Sequence, residues 1–242
     1  MPLEVRSATD YHAPVAISIT GETKMKKLLV IGLLLFAACF GCKFAGRGIT
    51  GSGNRKTEKR DLKSFKAIDT KGAYEINVTC QKPASFEIEA DDNILPLIKT
   101  EVHDGVLTVS NDERYNSSKG VVLRITLPEL TEAISHGAGQ INISDAAGEK
   151  LRLESLGAAS VKATGKVKSV EISSTGAGEI DAANLQAEKA EVDVTGAATV
   201  EVYASDQLDV KVSGASSVEY SGNPKTVNKS VAGIGSVNPK GQ

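Results

Sequence analysis

A short glycine-centred motif recurs six times in the C-terminal half of this chain and constrains its fold more than any other feature. Successive copies are 20, 19, 20, 18 and 19 residues apart, and each places Ile or Val four residues after its first glycine. Polar residues flank that Ile or Val in every copy, which is the alternation expected of a β-strand. The first glycines of the copies are Gly137, Gly157, Gly176, Gly196, Gly214 and Gly233. Each copy therefore marks one strand and one turn of a unit of about 19 residues.

Repetition at this period predicts stacked coils of β-strand, because one coil cannot bury its own apolar side chains and needs neighbours above and below it. Equivalent residues of adjacent coils then lie about 4.8 Å apart, in register. The glycine permits a backbone bend that a β-branched residue would forbid. The residues predicted to form one buried aliphatic column are Ile141, Val161, Ile180, Val200, Val218 and Val237.

The predicted fold class is all-β: a single-stranded right-handed β-helix, or solenoid, with rungs of about 19 residues over residues 133–242. A β region over residues 61–132 precedes it, since segments such as "YEINVTC" and "VVLRITL" alternate apolar and polar residues. The alternative is an antiparallel meander in a β-sandwich, where turns recur every about 8–12 residues. The β-helix is favoured because the glycine turn recurs in the same phase, which a meander does not require.

Two further local predictions concern the N-terminal β region. A short helix is predicted at residues 93–100, with Asp91, Asp92 or Asn93 as its N-cap. Cys80 falls on the apolar side of a strand and is predicted to be a buried free thiol. A disulfide between Cys80 and Cys42 is the alternative if the compartment is oxidising.

The stretch "MKKLLVIGLLLFAACFGC" indicates export. Lys26 and Lys27 precede an apolar run, residues 28–38, that is shorter than the roughly 20 residues needed to span a bilayer. Small residues then precede a cysteine, as in a bacterial lipoprotein signal whose cysteine becomes the lipidated first residue. Cys39 is the predicted lipidation site and Cys42 is the second choice. A plain secretory signal and a single membrane anchor are the alternatives.

This signal sets the expected organisation of the N-terminus. Because it begins at Met25, residues 1–24 are expected to be a mis-called extension and residues 25–38 the signal peptide. Residues 39–60 are rich in Gly, Ser and charge and are predicted to be a flexible tether. The expected location is the cell envelope, where the N-terminal lipid binds the outer membrane. The sequence leaves open whether the domain is on the periplasmic or the surface side.

Few residues in the sequence point to chemistry. The net charge is −2 and Lys and Arg are interspersed with Asp and Glu, so nucleic acid is not an expected partner. His103 and His136 are interpreted as solvated turn residues rather than as ligands or bases. Asp91 and Asp92 carry oxygen ligands that suit Ca²⁺, but helix capping explains them better. No catalytic residue, metal site or cofactor is predicted.

The polar positions on both sides of the aliphatic column form the candidate binding face. If the coils stack, these side chains make two outward columns that suit contact with a polymer or a protein. The residues are Gln140, Asn142, Ser160, Lys162, Glu179, Asp181, Thr199, Glu201, Ser217 and Glu219. One alternative is a merely solvated face. Another is an acid/base pair of a polysaccharide lyase or hydrolase, formed by stacked acids such as Asp181 and Glu201.

The ends of such a stack leave unpaired strand edges, which invite capping or homo-oligomerisation. The last segment, "VAGIGSVNPKGQ", breaks the repeat pattern as a terminal cap would. Both alternatives remain open from the sequence.

Several stretches resemble the bacterial family of the putative auto-transporter adhesin, head GIN domain. They are "GSGN" at residues 51–54 and the segments 60–78, 90–109 and 123–139, together with the Gly-Ala repeats. The resemblance implies an exported, often lipid-anchored protein with a right-handed β-helix, and it brings no catalytic residues. The expected function is a noncatalytic binding or adhesion module at the cell envelope, with an envelope protein or a polysaccharide as partner. A structural or regulatory envelope scaffold is the first alternative, and a polysaccharide lyase or hydrolase is the second.

Overall fold

The computed structural model describes residues 48–241, and strands dominate this part of the chain. None of its helices has the length and apolar character needed to cross a membrane. A 3₁₀-helix spans Leu95–Leu97. The strands are β1 (Ile49–Thr50), β2 (Arg55–Lys59), β3 (Ala67–Lys71), β4 (Tyr74–Thr79), β5 (Ser85–Asp91), β6 (Ile98–His103), β7 (Val106–Asn111), β8 (Tyr115–Asn116), β9 (Val121–Thr126), β10 (Glu132–Ser135), β11 (Gln140–Ser155), β12 (Ser160–Gly176), β13 (Glu179–Gly196), β14 (Thr199–Tyr203), β15 (Gln207–Gly214), β16 (Ser217–Ser221), β17 (Thr226–Gly233) and β18 (Ser236–Pro239).

The glycine repeats form a β-solenoid of about five turns, which confirms the fold predicted from their period. Each coil runs through one strand segment, bends, and returns through a second segment to the next glycine corner. The three long strands β11, β12 and β13 contain both segments and pair in parallel over their whole length, with a register irregularity at each bend. Beyond β13 the two segments are separate strands, namely β14, β16 and β18 on one side and β15 and β17 on the other.

The solenoid therefore has two broad sides, which we name by their position relative to the corner glycines. The front face is the outer surface of the segments that follow the glycines. Its strand order is β2-β5-β9-β4-β11-β12-β13-β14-β16-β18. The back face is the outer surface of the segments that precede the glycines, in the order β6-β7-β3-β10-β11-β12-β13-β15-β17. Side chains that point inward from both sides make one hydrophobic core.

The predicted aliphatic column forms as expected. Each of its six members pairs in register with the next, from Ile141 at one end to Val237 at the other. All six are at most 9% exposed. The polar residue on either side of each member points outward, so alternation along the strand decides which side chains reach the core.

A seventh glycine corner, at Gly72, extends the same stack into the N-terminal β region. Strands β3 and β4 on either side of this corner pair in parallel with β10 and β11, and Ile76 lies in register with Ile141. The motif "GAYEI" matches the later copies, but strands β5 to β9 separate it from them in sequence. Strands β7 and β9 pair in parallel below β3 and β4. The N-terminal β region therefore shares its sheet and its core with the solenoid.

Antiparallel strands close the base of this stack. Strand β6 pairs antiparallel with β7 on the back side, and β5 pairs antiparallel with β9 on the front side. Strand β2 then adds antiparallel to β5 as the outermost strand. The reversal of direction ends the series of parallel coils at this end.

The prediction of a flexible tether over residues 39–60 is wrong for the part that contains β2. Strand β2 pairs along its whole length with β5, so this segment is ordered rather than flexible. The Arg55 guanidinium donates hydrogen bonds to the carbonyl oxygens of Gly120, at 2.6 Å, and Glu89, at 3.2 Å. Neither partner could be expected from local sequence patterns, because both are distant along the chain from Arg55. The rest of the predicted tether, residues 39–47, lies outside the described residues.

The prediction of a helix at residues 93–100 is wrong. The chain makes only the 3₁₀-turn Leu95–Leu97 and enters β6 at Ile98, because residues 98–103 pair with β7. No side chain caps this turn. Asn93 instead binds the segment before β2, since its side chain accepts from the Ser52 N–H at 2.9 Å and donates to the Thr50 carbonyl oxygen at 2.8 Å.

Asp91, at the end of β5, and Cys80, just after β4, are both buried. Asp91 accepts a hydrogen bond from the Ser117 hydroxyl at 2.8 Å and does not cap a helix. Cys80 is a buried free thiol, as predicted, and burial raises its pKa. Its alternative partner, Cys42, lies outside the described residues.

Tyr74 of β4 and Tyr115 of β8 lead us to expect a loss of stability at high pH. Burial raises the pKa of Tyr115 to about 12 and raises that of Tyr74 further, and the Tyr74 hydroxyl donates to the Asn111 side chain at 2.7 Å. An unfolded tyrosine titrates near pH 10, so above that pH the unfolded chain releases protons that the folded chain keeps. We expect the free energy of unfolding in urea to fall from about pH 10 upward. The double substitution Tyr74→Phe and Tyr115→Phe is expected to make this fall shallower, and an unchanged slope would contradict the assignment.

Candidate functional site

The ten residues of the predicted binding face all lie on the front face, and each is exposed or half-buried. They form two in-register columns, because every member pairs with its equivalent on the neighbouring coil. The first column contains Gln140, Ser160, Glu179, Thr199 and Ser217. The second column contains Asn142, Lys162, Asp181, Glu201 and Glu219. The structure thus brings together residues that are far apart in sequence, in the arrangement that stacking predicts.

Both columns extend further than the sequence indicated. Glu75 and Asn77 of β4 lie in register below Gln140 and Asn142, so the corner at Gly72 adds one more coil to the face. The side-chain amide of Asn142 donates to the Asn77 side-chain oxygen at 2.9 Å. The signal that identifies this coil is the Ile four residues after Gly72. With the strands of the base, the front face has ten strands and a length of about 43 Å.

Ion pairs hold several side chains of the second column in their charged forms. The Lys162 ammonium lies 2.9 Å from the Asp181 carboxylate, and Lys240, just beyond β18, reaches back to Glu201. Partial burial on its own raises the pKa of Asp181, but Lys162 and the N–H of Ala183 outweigh this, so that the pKa lies below its usual value. Hydrogen bonds to their carboxylate partners raise the pKa of Lys162 and of Lys240. These three groups are therefore ionised at neutral pH.

This electrostatic pattern does not suit Asp181 to the role of general acid. A general acid that works near neutral pH needs a carboxyl whose pKa is raised towards that pH. The pKa of Asp181 is shifted in the opposite direction, and its nearest charged neighbour is an ammonium. The column presents fixed charges and hydrogen-bonding groups that are suited to binding.

One aromatic side chain accompanies the polar columns. Tyr203 points outward at the end of β14 and is half-buried. Tyr220 pairs with the inward residue Val202 and packs against the core. The front face of the repeats therefore has Tyr203 as an aromatic contact, and Tyr220 belongs to the end of the core.

His136 lies beside a glycine corner and has a specific contact, whereas His103 is the last residue of β6, next to a hairpin turn. The His136 Nε2 lies 3.1 Å from the Asp69 carboxylate. His103 is at an exposed hairpin tip, where Nδ1 lies 3.0 Å from the Asp104 carboxylate. Within residues 48–241 no group of three or more His, Cys, Asp or Glu side chains is arranged to hold a metal ion.

Depressions elsewhere on the surface are shallow. One of about 340 Å³ lies on the back face of the last coils, between the outward columns that contain Asp209 and Lys211. Another, of about 430 Å³, lies at the base and is lined by Phe65, Val106 and Pro128, with Lys66 and Glu129 paired at 2.6 Å on its wall. The regular in-register pairing of its strands is what distinguishes the candidate face.

Comparison with known proteins identifies a family that matches most of the chain. The family described as "Putative auto-transporter adhesin, head GIN domain", a domain of unknown function, matches residues 64–224. No protein with a curated description matches the chain.

Solved structures share the fold. A crystal structure of a putative adhesin from Bacteroides fragilis is 26% identical, with a TM-score of 0.67, and the match covers 79% of this chain and 100% of that chain. A putative adhesin from Parabacteroides distasonis is 20% identical, with a TM-score of 0.51, over 79% of this chain and 99% of that chain. A putative adhesin from Parabacteroides merdae is 19% identical, with a TM-score of 0.50, over 79% and 98% respectively. The last two comparisons support the fold alone.

Proposed function

Because this chain belongs to the family of the putative auto-transporter adhesin head GIN domain, we propose that it is a noncatalytic binding module of the cell envelope. Its contact surface is the front face. The observation that carries this proposal is the in-register pairing of the two polar columns over the whole height of the solenoid. The similar putative adhesin from Bacteroides fragilis is consistent with such a role.

The partner that best suits this surface is an extended polymer, either a polysaccharide or an extended segment of an envelope protein. Amide, hydroxyl and charged groups recur about every 4.8 Å along the face. A polymer that lies along the columns meets similar groups on every coil, and many weak contacts together give useful affinity without a deep pocket. Asn77, Asn142 and Ser160 supply neutral hydrogen-bonding groups at the lower end. Glu179 in the middle of the face and Glu219 nearer its upper end add negative charge.

A structural or regulatory envelope scaffold is the second candidate, and the same face would then bind a protein. For a polysaccharide lyase or hydrolase, Asp181 is poorly suited to the role of general acid, because Lys162 holds its carboxylate ionised. The identity of the bound molecule separates the first two candidates.

A matched pair of substitutions on β12 tests the face. Ser160 is on the front face and Ser173 is on the back face of the same coil, and both are half-buried. We expect Ser160→Arg to weaken binding at least about tenfold, or about 1.4 kcal/mol, because the long side chain blocks the first column. Ser173→Arg is expected to leave binding unchanged.

The measurement is a glycan array, with a pull-down from envelope extracts, using the secreted chain that carries Cys39→Ser and Cys42→Ser. Ligands found in this screen are then titrated against both arginine variants. Equal loss of binding in the two variants would contradict the assignment to the front face. Turnover of a captured polysaccharide would contradict the noncatalytic role.

Lipid anchoring is a separate part of the proposal. Cys39 and Cys42 both lie outside the described residues, so the proposal rests on the signal-like sequence before them. We expect Cys39→Ser to abolish incorporation of labelled palmitate and to release the protein from the outer membrane. Cys42→Ser is expected to leave both unchanged. The reverse result would move the lipid to Cys42, and labelling of neither cysteine would refute the anchor.

A further inference from the structure

A lysine in the last coil of the solenoid lies across the end of the hydrophobic core. Lys229 of β17 continues a column of inward-pointing residues, Val192 and Val210, which are at most 4% exposed. No coil covers it on the other side within the described residues. Its ammonium crosses from the back side to the front side of the coil and donates to the Val237 carbonyl oxygen at 2.9 Å. It also lies 4.7 Å from the centre of the Tyr220 ring, within the range of a cation–π interaction.

The free edge of β18 is depleted of hydrogen-bonding groups for the same geometric reason. The N–H groups of Ser236 and Lys240 donate to the coil below, to Ser216 and Tyr220. Alternation along the strand therefore directs the backbone groups of Val237 and Pro239 towards the free edge. Lys229 occupies the Val237 carbonyl oxygen, and Pro239 has no N–H to donate. A further strand would find one donor on this edge, the Val237 N–H.

At the opposite end of the front face, charged side chains protect the exposed edge strand against pairing with another strand. Strand β2 is the outermost strand of the front face at the base, and its sequence is "RKTEK". The side chains of Lys56 and Lys59 on this strand are 66% and 80% exposed. Charged residues on edge strands, and inward-pointing charges in particular, are means by which β-sheet proteins avoid pairing edge to edge.

We infer that the C-terminal coil is a cap, in which Lys229 and Pro239 prevent a second copy of this chain from stacking on the end of the solenoid. Of the two outcomes that the sequence left open for the ends, capping and homo-oligomerisation, this inference selects capping. A stacked coil would bury the Lys229 ammonium against apolar residues, and burial of an unpaired charge is strongly unfavourable. Val231, 44% exposed, and Ile234, 88% exposed, are apolar side chains of this last coil. The inference does not depend on the ligand of the front face.

Removal of both devices tests the cap. The double substitution Lys229→Val and Pro239→Val restores an aliphatic column and an edge N–H. We expect the weight-average mass of this variant in sedimentation equilibrium to rise at least twofold with concentration, and negative-stain images to show longer rods. The parent is expected to stay at its monomer mass. Lys225→Val is the matched control, because Lys225 is also an exposed lysine near β17 but pairs with Asp206 in a turn.

Three results would overturn the inference. They are a double variant that folds and keeps the monomer mass, a parent that associates end to end to the same extent, and association of Lys225→Val equal to that of the double variant. Folding is checked by circular dichroism and thermal melting against the parent. If the double variant does not reach the parent's spectrum, Lys229→Ala repeats the test, since it removes the ammonium without adding bulk, and the same outcomes apply.

Discussion

Replacement of Val200 by Asp is expected to lower the free energy of unfolding by about 4 kcal/mol or more. Val200 is fully buried in the middle of the aliphatic column, between Ile180 below and Val218 above. A carboxylate at this position loses its hydration and gains no partner, and a protonated carboxyl still leaves a hole in the column. Domains of this size are stable by only about 5–15 kcal/mol, so the loss is a large part of the total.

Thr199→Asp is the matched control for this experiment. Thr199 precedes Val200 on β14 and points outward into solvent, so the same new side chain is expected to change stability by no more than about 0.5 kcal/mol. Urea unfolding followed by circular dichroism measures both variants. Equal unfolding midpoints for Val200→Asp and the parent would contradict the stacked-coil core. A cost shared equally by the two variants would show that charge, rather than burial, is responsible.

Gly176→Ala is expected to cost about 3 kcal/mol of stability, because two penalties act at one position. Gly176 has φ +136°, a conformation that residues with a side chain rarely adopt. A Cβ at this position would also overlap the carbonyl oxygen of Gly157 on the coil below. The stacked corners leave no room for the backbone to move away, since Gly196 lies directly above.

Gly105→Ala separates the two penalties. Gly105 has φ +77° in an open hairpin turn, and a Cβ there has no neighbour within 4 Å. We expect this substitution to cost about 1 kcal/mol, the share due to backbone conformation alone. Chemical unfolding of both variants gives the comparison. If Gly176→Ala cost no more than Gly105→Ala, close stacking would not be the reason for the repeated glycine.

These corners refine what the glycines do. The sequence suggested that each glycine permits a bend, and the positive φ of Gly176, Gly196, Gly214 and Gly233 agrees with this. At Gly137 and Gly157 the constraint is instead the space above the previous corner, since a Cβ there would overlap a backbone carbonyl oxygen. Contact between coils is a tertiary property and is common to all six corners, whereas a positive φ is not.

The candidate site was predictable to the extent that it repeats. The ten front-face residues were identified by their offset from the glycines, and the offset places them correctly in two columns. Glu75 and Asn77 were missed, although "GAYEI" carries the same signal, because a search for a regular period does not reach across strands β5 to β9. The pairing of Lys240 with Glu201 had no sequence signal, since the two residues belong to different coils.

The sequence by itself determined the stacked coils, the inward column from Ile141 to Val237 and the outward polar columns. These features follow from alternation and from glycine positions, which are local and recur in every coil, so each copy reinforces the same conclusion. Only the tertiary structure decided how the stack begins and ends. The coil at Gly72, the antiparallel base and the position of Lys229 across the last coil depend on pairing between segments that are distant in sequence. Local periodicity does not encode which of those segments meet, because that choice depends on loop closure and on which apolar surfaces are still uncovered.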